Sequence, residues 1–136
     1  MGSQGTGKSL ARALVLDAGA LIALEKGDQN TAGLIETGFD LGVPIIVPAS
    51  VLAQVWRGDA RAASVNRTVA AAAVDPLNEE RSKEVGVRLG RRGGDDVADA
   101  HVVCCAVEHR ATVATSDPDD IRALAGSDER LVLIEI

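Results

Sequence analysis

The sequence predicts an α/β sandwich whose mostly parallel sheet, about five strands wide, is flanked by helices on its faces. Three observations lead to that class. Short apolar runs bounded by a proline, a glycine or a single acid recur at residues 13–16, 43–48, 73–75, 112–115 and 131–136, and each has the length of a buried strand. Longer stretches with apolar residues at helical spacing separate them. Strand and helix alternate along the chain, the pattern of crossover connections between parallel strands.

The first strand, 13–16, runs into Asp17, and Ala18-Gly19-Ala20 opens a helix over 18–26 that stops near Gly27. Asn30 suits the N-cap of a second helix, running to about Leu41 and ended by Gly42. Pro44 and Pro48 bracket the strand 43–48; a helix over 49–57 follows, with Val51, Leu52 and Val55 on one side and Gly58 at its end. An alanine-rich helix over 60–72 leads to the strand at 73–75, broken by Pro76. Asn78 suits the cap of a charged helix over 79–89, and Arg91-Arg92-Gly93-Gly94 reads as a loop. The next helix starts at Asp95 or Asp96 and ends near His109, with Val97, Ala100, Val103, Cys104 and Val107 as its expected buried stripe. Strand 112–115, the turn Ser116-Asp117-Pro118, a helix to Leu124 and strand 131–136 complete the order.

One domain over 13–136 is expected, preceded by a flexible leader over 1–12. Gly2 to Ser9 fits the phosphate-loop pattern G-x-x-x-x-G-K-[ST]. That loop works only when a preceding strand fixes its turn, and here only Met1 stands before Gly2.

Hydrophobic residues make up 46% of the chain, so a packed core is expected and disorder is not. No apolar run approaches the roughly 20 residues that cross a bilayer, and no signal-peptide pattern opens the chain; a cytoplasmic protein with no membrane partner is expected. Cys104 and Cys105 are neighbours in an apolar helical pattern, which suits reduced core packing and supplies neither a disulfide framework nor a zinc site. The net charge of −6 argues against a protein that coats nucleic acid through a basic surface. It leaves room for a nuclease, because carboxylates that hold divalent cations make the site itself acidic.

The acids converge on this scaffold. Asp17 ends the first strand and Asp117 follows the fourth, so both belong to the carboxyl edge of a parallel sheet, where ligands bind. Asp96 and Asp99 are three apart and share one face of the first turns of their helix. Carboxylates brought within a few ångströms repel unless protonated or shared by a cation, and an oxygen-only set suits Mg²⁺ or Mn²⁺. Each acid also has an ordinary role open to it: Asp17, Asp95, Asp96 and Asp117 all stand where helix N-caps are wanted. Asp99 is the exception, since it falls inside its helix, where Asp has poor propensity.

Four segments in order, Leu16-Asp17-Ala18-Gly19-Ala20-Leu21-Ile22, Pro48-Ala49-Ser50-Val51-Leu52-Ala53-Gln54-Val55, Asp96-Val97-Ala98-Asp99-Ala100 and Thr115-Ser116-Asp117-Pro118-Asp119-Asp120, resemble the motifs of the PIN domain, in particular of VapC-type toxins of bacterial toxin–antitoxin modules. The resemblance covers nearly the whole of 13–136. It implies a PIN-like three-layer sandwich and a metal-dependent endoribonuclease using Mg²⁺ or Mn²⁺, often a homodimer, held inactive by a small antitoxin protein. Position by position, it implies metal ligands at Asp17, Asp99 and Asp117, accessory positions at Asp96 and Asp120, and a hydroxyl at Thr115 or Ser116 that orients water at the metal. One position departs: Gln54 stands where the family usually has Glu, which keeps the oxygen and loses the charge.

If active, such a site hydrolyses RNA phosphodiesters, and Arg57, Arg91, Arg92 and Arg122 are candidates to grip flanking phosphates. With Phe39 and Trp56 as its only aromatics, the chain offers little for base stacking, so shape and backbone are the expected features read. The Gln54 departure supports an alternative, a weakened or inactive PIN-like module that binds RNA or a partner. A phosphoacceptor receiver domain is disfavoured because it needs a pair of acids at the first strand and a late lysine; Asp17 stands alone there and no lysine follows Lys83. Nucleotide hydrolysis through the N-terminal glycine-rich segment lacks its strand and a downstream magnesium acid.

Overall fold

The computed structural model describes residues 12–59, 62–127 and 130–136. The glycine-rich N-terminal motif and residues 60–61 of the expected alanine-rich helix lie outside the described residues. The described residues form five strands: β1 (Leu14–Leu16), β2 (Ile45–Pro48), β3 (Ala73–Asp75), β4 (Thr112–Thr115) and β5 (Val132–Glu135). Among the described residues seven helices accompany them: α1 (Ala18–Glu25), α2 (Gln29–Asp40), α3 (Ala49–Val55), α4 (Ala63–Ala71), α5 (Glu79–Arg92), α6 (Val97–His109) and α7 (Pro118–Ala125). The sheet order is β3-β2-β1-β4-β5 and every pairing is parallel, so the antiparallel edge that a mostly parallel sheet allows is not used.

β1 lies at the centre of the sheet, with Leu14 opposite both Ile45 and Thr112. Its residues Leu14, Val15 and Leu16 are buried on both faces, as a strand inside a parallel sheet must be. Because all strands point the same way, their carboxyl ends share one edge. The chain direction alone therefore delivers Asp17 after β1, Ser50 after β2, Asp75 at the end of β3 and Asp117 after β4 to that edge. No described helix is long and apolar enough to cross a membrane.

Several boundaries differ from the sequence reading, each for a local reason. Asp28, not Asn30, caps α2, since its Oδ2 accepts both the Thr31 N–H at 3.0 Å and the Thr31 hydroxyl at 2.6 Å. α3 stops at Val55, two residues early, where Trp56 turns to extended backbone. α5 continues through Arg91 and Arg92 instead of giving way to a loop after Leu89; Gly93, with φ of 86°, is what ends it. α6 is buried almost all round because it lies between the sheet and the helices α5 and α7. Accordingly Ala98, His101, Val102, Cys105 and Ala106 join the expected Ala100, Val103 and Cys104 in the core, whereas Val97 is 44% exposed. Both cysteines are buried and free.

Candidate metal centre

Asp17 is 3% exposed and its carboxylate is fixed from three sides. Oδ1 accepts the Ala20 N–H at 2.8 Å, so the residue does cap α1; Oδ2 accepts the Ser116 N–H at 3.3 Å; and the Thr115 hydroxyl donates to it as well. Burial pushes its pKa above the usual carboxylate value, the hydrogen bonds pull it back, and the neighbouring Asp117 adds a further push upward. The small residues Ala18-Gly19-Ala20 at the start of α1 make this possible. A Cβ on Gly19 would stand 1.9 Å from Ser116 Oγ and 3.3 Å from Asp17 Oδ1, so glycine is required for the β4–α7 turn to close over α1.

Asp117 is the N-cap residue of α7 but makes no capping hydrogen bond with its side chain. Its own N–H donates to Thr115 Oγ1 at 2.9 Å. Asp96 caps α6 through Oδ1, which accepts the Asp99 N–H at 2.9 Å. Asp99 is the electrostatic focus of the group. Burial first, then the charges of Asp96, Asp17, Asp120 and Asp117, push its carboxyl up to about 6. Four acids, carried by the starts of α1, α6 and α7, acting on a fifth is the signature of carboxylates that lack a counter-ion.

Gln54 is exposed on α3 and lines a cleft of about 440 Å³ together with Ser50, Asp95, Asp96, Val97 and Ala98. It therefore faces the start of α6 on the Asp96 side. As a neutral amide it offers an oxygen to that edge without adding to the repulsion there.

The sequence over residues 14–127 matches the PIN domain family. The chain is a member of that family. In shape this PIN domain is similar to VapBC2 from Rickettsia felis, solved bound to a DNA fragment from their promoter. The TM-score is 0.64 at 14% identity, over 91% of this chain and 98% of that one. It is also similar to FitAB bound to an IR36 DNA fragment, with a TM-score of 0.59 at 15% identity, over 90% of this chain and 94% of the other. Identities this low establish a common fold. Among curated proteins no sequence match was found.

None of the four candidate arginines is among the charges that act most strongly on Asp99. Arg57 turns back on its own chain, donating to the Trp56 carbonyl at 2.8 Å. Arg92 donates to the Ala123 carbonyl at 3.0 Å and, with Arg91, lines a separate cavity of about 580 Å³ between α5, α6 and α7. Arg122 is exposed on α7.

A second polar group, absent from the sequence reading, lies beneath the edge. His101 is fully buried on α6; its Nδ1 is 2.7 Å from Ser50 Oγ and its Nε2 is 2.7 Å from Asp75 Oδ2. Arg81 grips the same Asp75 with Nε at 2.9 Å and Nη2 at 3.1 Å, and Nη2 also reaches Glu108 at 2.7 Å. Burial alone would raise the Asp75 carboxyl, but the hydrogen bonds from Arg81 and His101 outweigh it and hold the group below the usual range. Asp75 is thus an acceptor, so His101 donates from Nε2. Burial also keeps the imidazole neutral, which leaves Nδ1 to accept the Ser50 hydroxyl.

Among the described residues, Asp75, Cys105 and His109 form the one trio of metal-type donors whose atoms all lie within 4.8 Å of one another. The acids at the sheet edge are spaced more widely. The tighter trio is nevertheless the poorer cation site: Asp75 is committed to Arg81 and His101, and burial pushes the Cys105 thiol up to about 12. The edge acids, with carboxylate oxygens only and mutual repulsion to relieve, have the donor chemistry of a Mg²⁺ or Mn²⁺ site.

Proposed function

We propose that this PIN domain is a divalent-metal-dependent endoribonuclease of the VapC type, the toxin of a toxin–antitoxin pair. The observation that carries this reading is the elevated Asp99, surrounded by Asp17, Asp96, Asp117 and Asp120 at the carboxyl edge of the sheet. Asp17, Asp99 and Asp117 would hold Mg²⁺ or Mn²⁺, with Asp96 and Asp120 as accessory carboxylates and Gln54 as a neutral oxygen at the margin. The ion supplies charge neutralisation at the scissile phosphate and activation of the attacking water. The protein's own part is positional. Asp17 is locked by Ala20, Ser116 and Thr115, so its carboxylate would meet an ion without reorganising. Thr115 has its oxygen bound to the Asp117 amide, which leaves Ser116, exposed beside it, as the freer hydroxyl for orienting water.

The likeness to VapBC2 and FitAB supports a small antitoxin as partner, and RNA as the substrate follows from the VapC reading. A homodimer is part of the same proposal, with exposed apolar area at Trp56 beyond α3 and at Val74 and Leu77 along the edge strand β3. Of the four arginines, Arg122, exposed on the helix that Asp117 caps and that carries Asp120, is the one we assign to flanking phosphate.

The second reading, a PIN-like module that binds without cleaving, is favoured by the single position Gln54, where a neutral amide replaces a charge. Incubation of the purified protein with total RNA and Mn²⁺ separates the two. Cleavage that disappears in Asp17→Asn and in Asp99→Asn establishes the enzyme. Cleavage equal in all three proteins marks a contaminant, and RNA binding without cleavage selects the binding module.

A further inference from the structure

We infer that the buried chain Ser50–His101–Asp75 is a positioning device that sets the seat of α3, and through it the placement of Gln54 against the start of α6. This rests on the metal-site reading above and adds to it residues that touch neither metal nor RNA.

Ser50 and Gln54 are four apart on α3, hence on one face, and both line the cleft that also contains Asp95 and Asp96. α3 itself is poorly determined by local forces. It has seven residues, follows Pro48, and its N-terminus has no side-chain capping bond. Val51 and Val55 anchor it to the core, but apolar contact fixes depth better than rotation about the axis. The Ser50–His101 hydrogen bond is directional and fixes that rotation.

The strength of the anchor comes from what lies behind it. His101 is fully buried, so its ring cannot turn without breaking the bonds at both of its nitrogens. Asp75 sets the tautomer, and Arg81 in turn holds both oxygens of Asp75. The chain thus joins α3, α6, β3 and α5. On α6, His101 is two residues past Asp99 and five past Asp96, so the helix that receives the bond is the helix that carries the acids. Gln54 is thereby referenced to the acids through hydrogen bonds and not through the compressible cleft surface.

The test is a double-mutant cycle read by Mn²⁺ titration with calorimetry, accompanied by thermal melts. Ser50→Ala should remain folded and bind Mn²⁺ about 3- to 10-fold more weakly, while Ser50→Thr, which keeps the hydroxyl, should restore the wild-type affinity. In a Gln54→Ala background Ser50→Ala should have no further effect, because the group it positions is gone. If Ser50→Ala lowers the melting temperature but leaves Mn²⁺ affinity unchanged, the chain is purely structural and the inference is overturned while the metal reading stands. If Ser50→Ala is equally harmful with and without Gln54, the effect does not run through Gln54, and the inference is overturned. A wild-type protein that binds no Mn²⁺, behaving like Asp17→Asn, overturns the metal reading and this inference with it.

Discussion

Thr115 donates its buried hydroxyl to Asp17 and, through the same oxygen, accepts the Asp117 N–H at 2.9 Å. One side chain at the end of β4 therefore orders the acid that follows β1 and the backbone of the acid that follows its own strand. Thr115→Val preserves the shape and removes both bonds, leaving Asp17 short of a donor in a closed site. Urea denaturation should show a loss of about 1–3 kcal/mol. Mn²⁺ affinity should fall along with stability, and an unchanged affinity would separate Thr115 from the site.

Gly19 gives a steric prediction. Gly19→Ala places a Cβ 2.6 Å from the Ser116 Cβ, closer than two such carbons approach, so α1 or the β4–α7 turn must shift. In an exposed helix the same change stabilises by roughly 1 kcal/mol. Here the sign should reverse, and differential scanning calorimetry should record a lower melting temperature with weaker divalent-ion binding.

Asp99 makes a prediction about pH in the metal-free protein. Its carboxyl is raised from 3.8 to about 6 in the folded chain. The folded state is therefore favoured by this group while the carboxyl is neutral, and that contribution is lost as pH rises through about 6. Asp99→Asn removes the ionisation. Its melting temperature should exceed that of the wild type at pH 7.5 by roughly 3–6 °C, corresponding to about 1 kcal/mol after solvent screening, and the gap should close toward pH 4. Saturating Mn²⁺ should abolish the advantage, since the ion relieves the same repulsion.

Gln54→Glu restores the charge that the family usually carries. A carboxylate within a few ångströms of a divalent ion is worth on the order of a few kcal/mol at an effective dielectric near 20, before desolvation is subtracted. Mn²⁺ binding should tighten by roughly tenfold, and ribonuclease activity at limiting metal should rise. Slower cleavage by Gln54→Glu than by the wild type would instead assign Gln54 a role through its amide.

The strands and their direction were legible because apolar runs such as Val15-Leu16 and Val113-Ala114 have one good use in a chain of this length, the interior of a parallel sheet. The shared edge of the acids followed from that direction. Boundaries were less legible where two local signals competed. Asp28 and Asn30 are both good caps, and Asp28 prevails because Thr31 lies three residues beyond it with two donors. Arg91-Arg92-Gly93 resembled a loop, although basic residues followed by glycine equally mark the last turn of a helix. The Ser50–His101–Asp75–Arg81 group was not legible, because its members come from four elements and each alone has an ordinary place. The available signal was a histidine inside the uninterrupted apolar stretch from Ala100 to Ala106, where an imidazole needs partners on both nitrogens.

Trp56 is the only tryptophan of a chain that has no tyrosine, and it forms the C-cap of α3, where the residue is 42% exposed. Indole emission shifts in colour and intensity with the wetness and polarity around the ring, so the intrinsic fluorescence of this protein reads a single place. That place is the far end of the helix bearing Ser50 and Gln54. A titrated ion, a bound nucleic acid or a docked partner that re-seats α3 will register as a spectral change without any label, and one that leaves α3 alone will be optically silent.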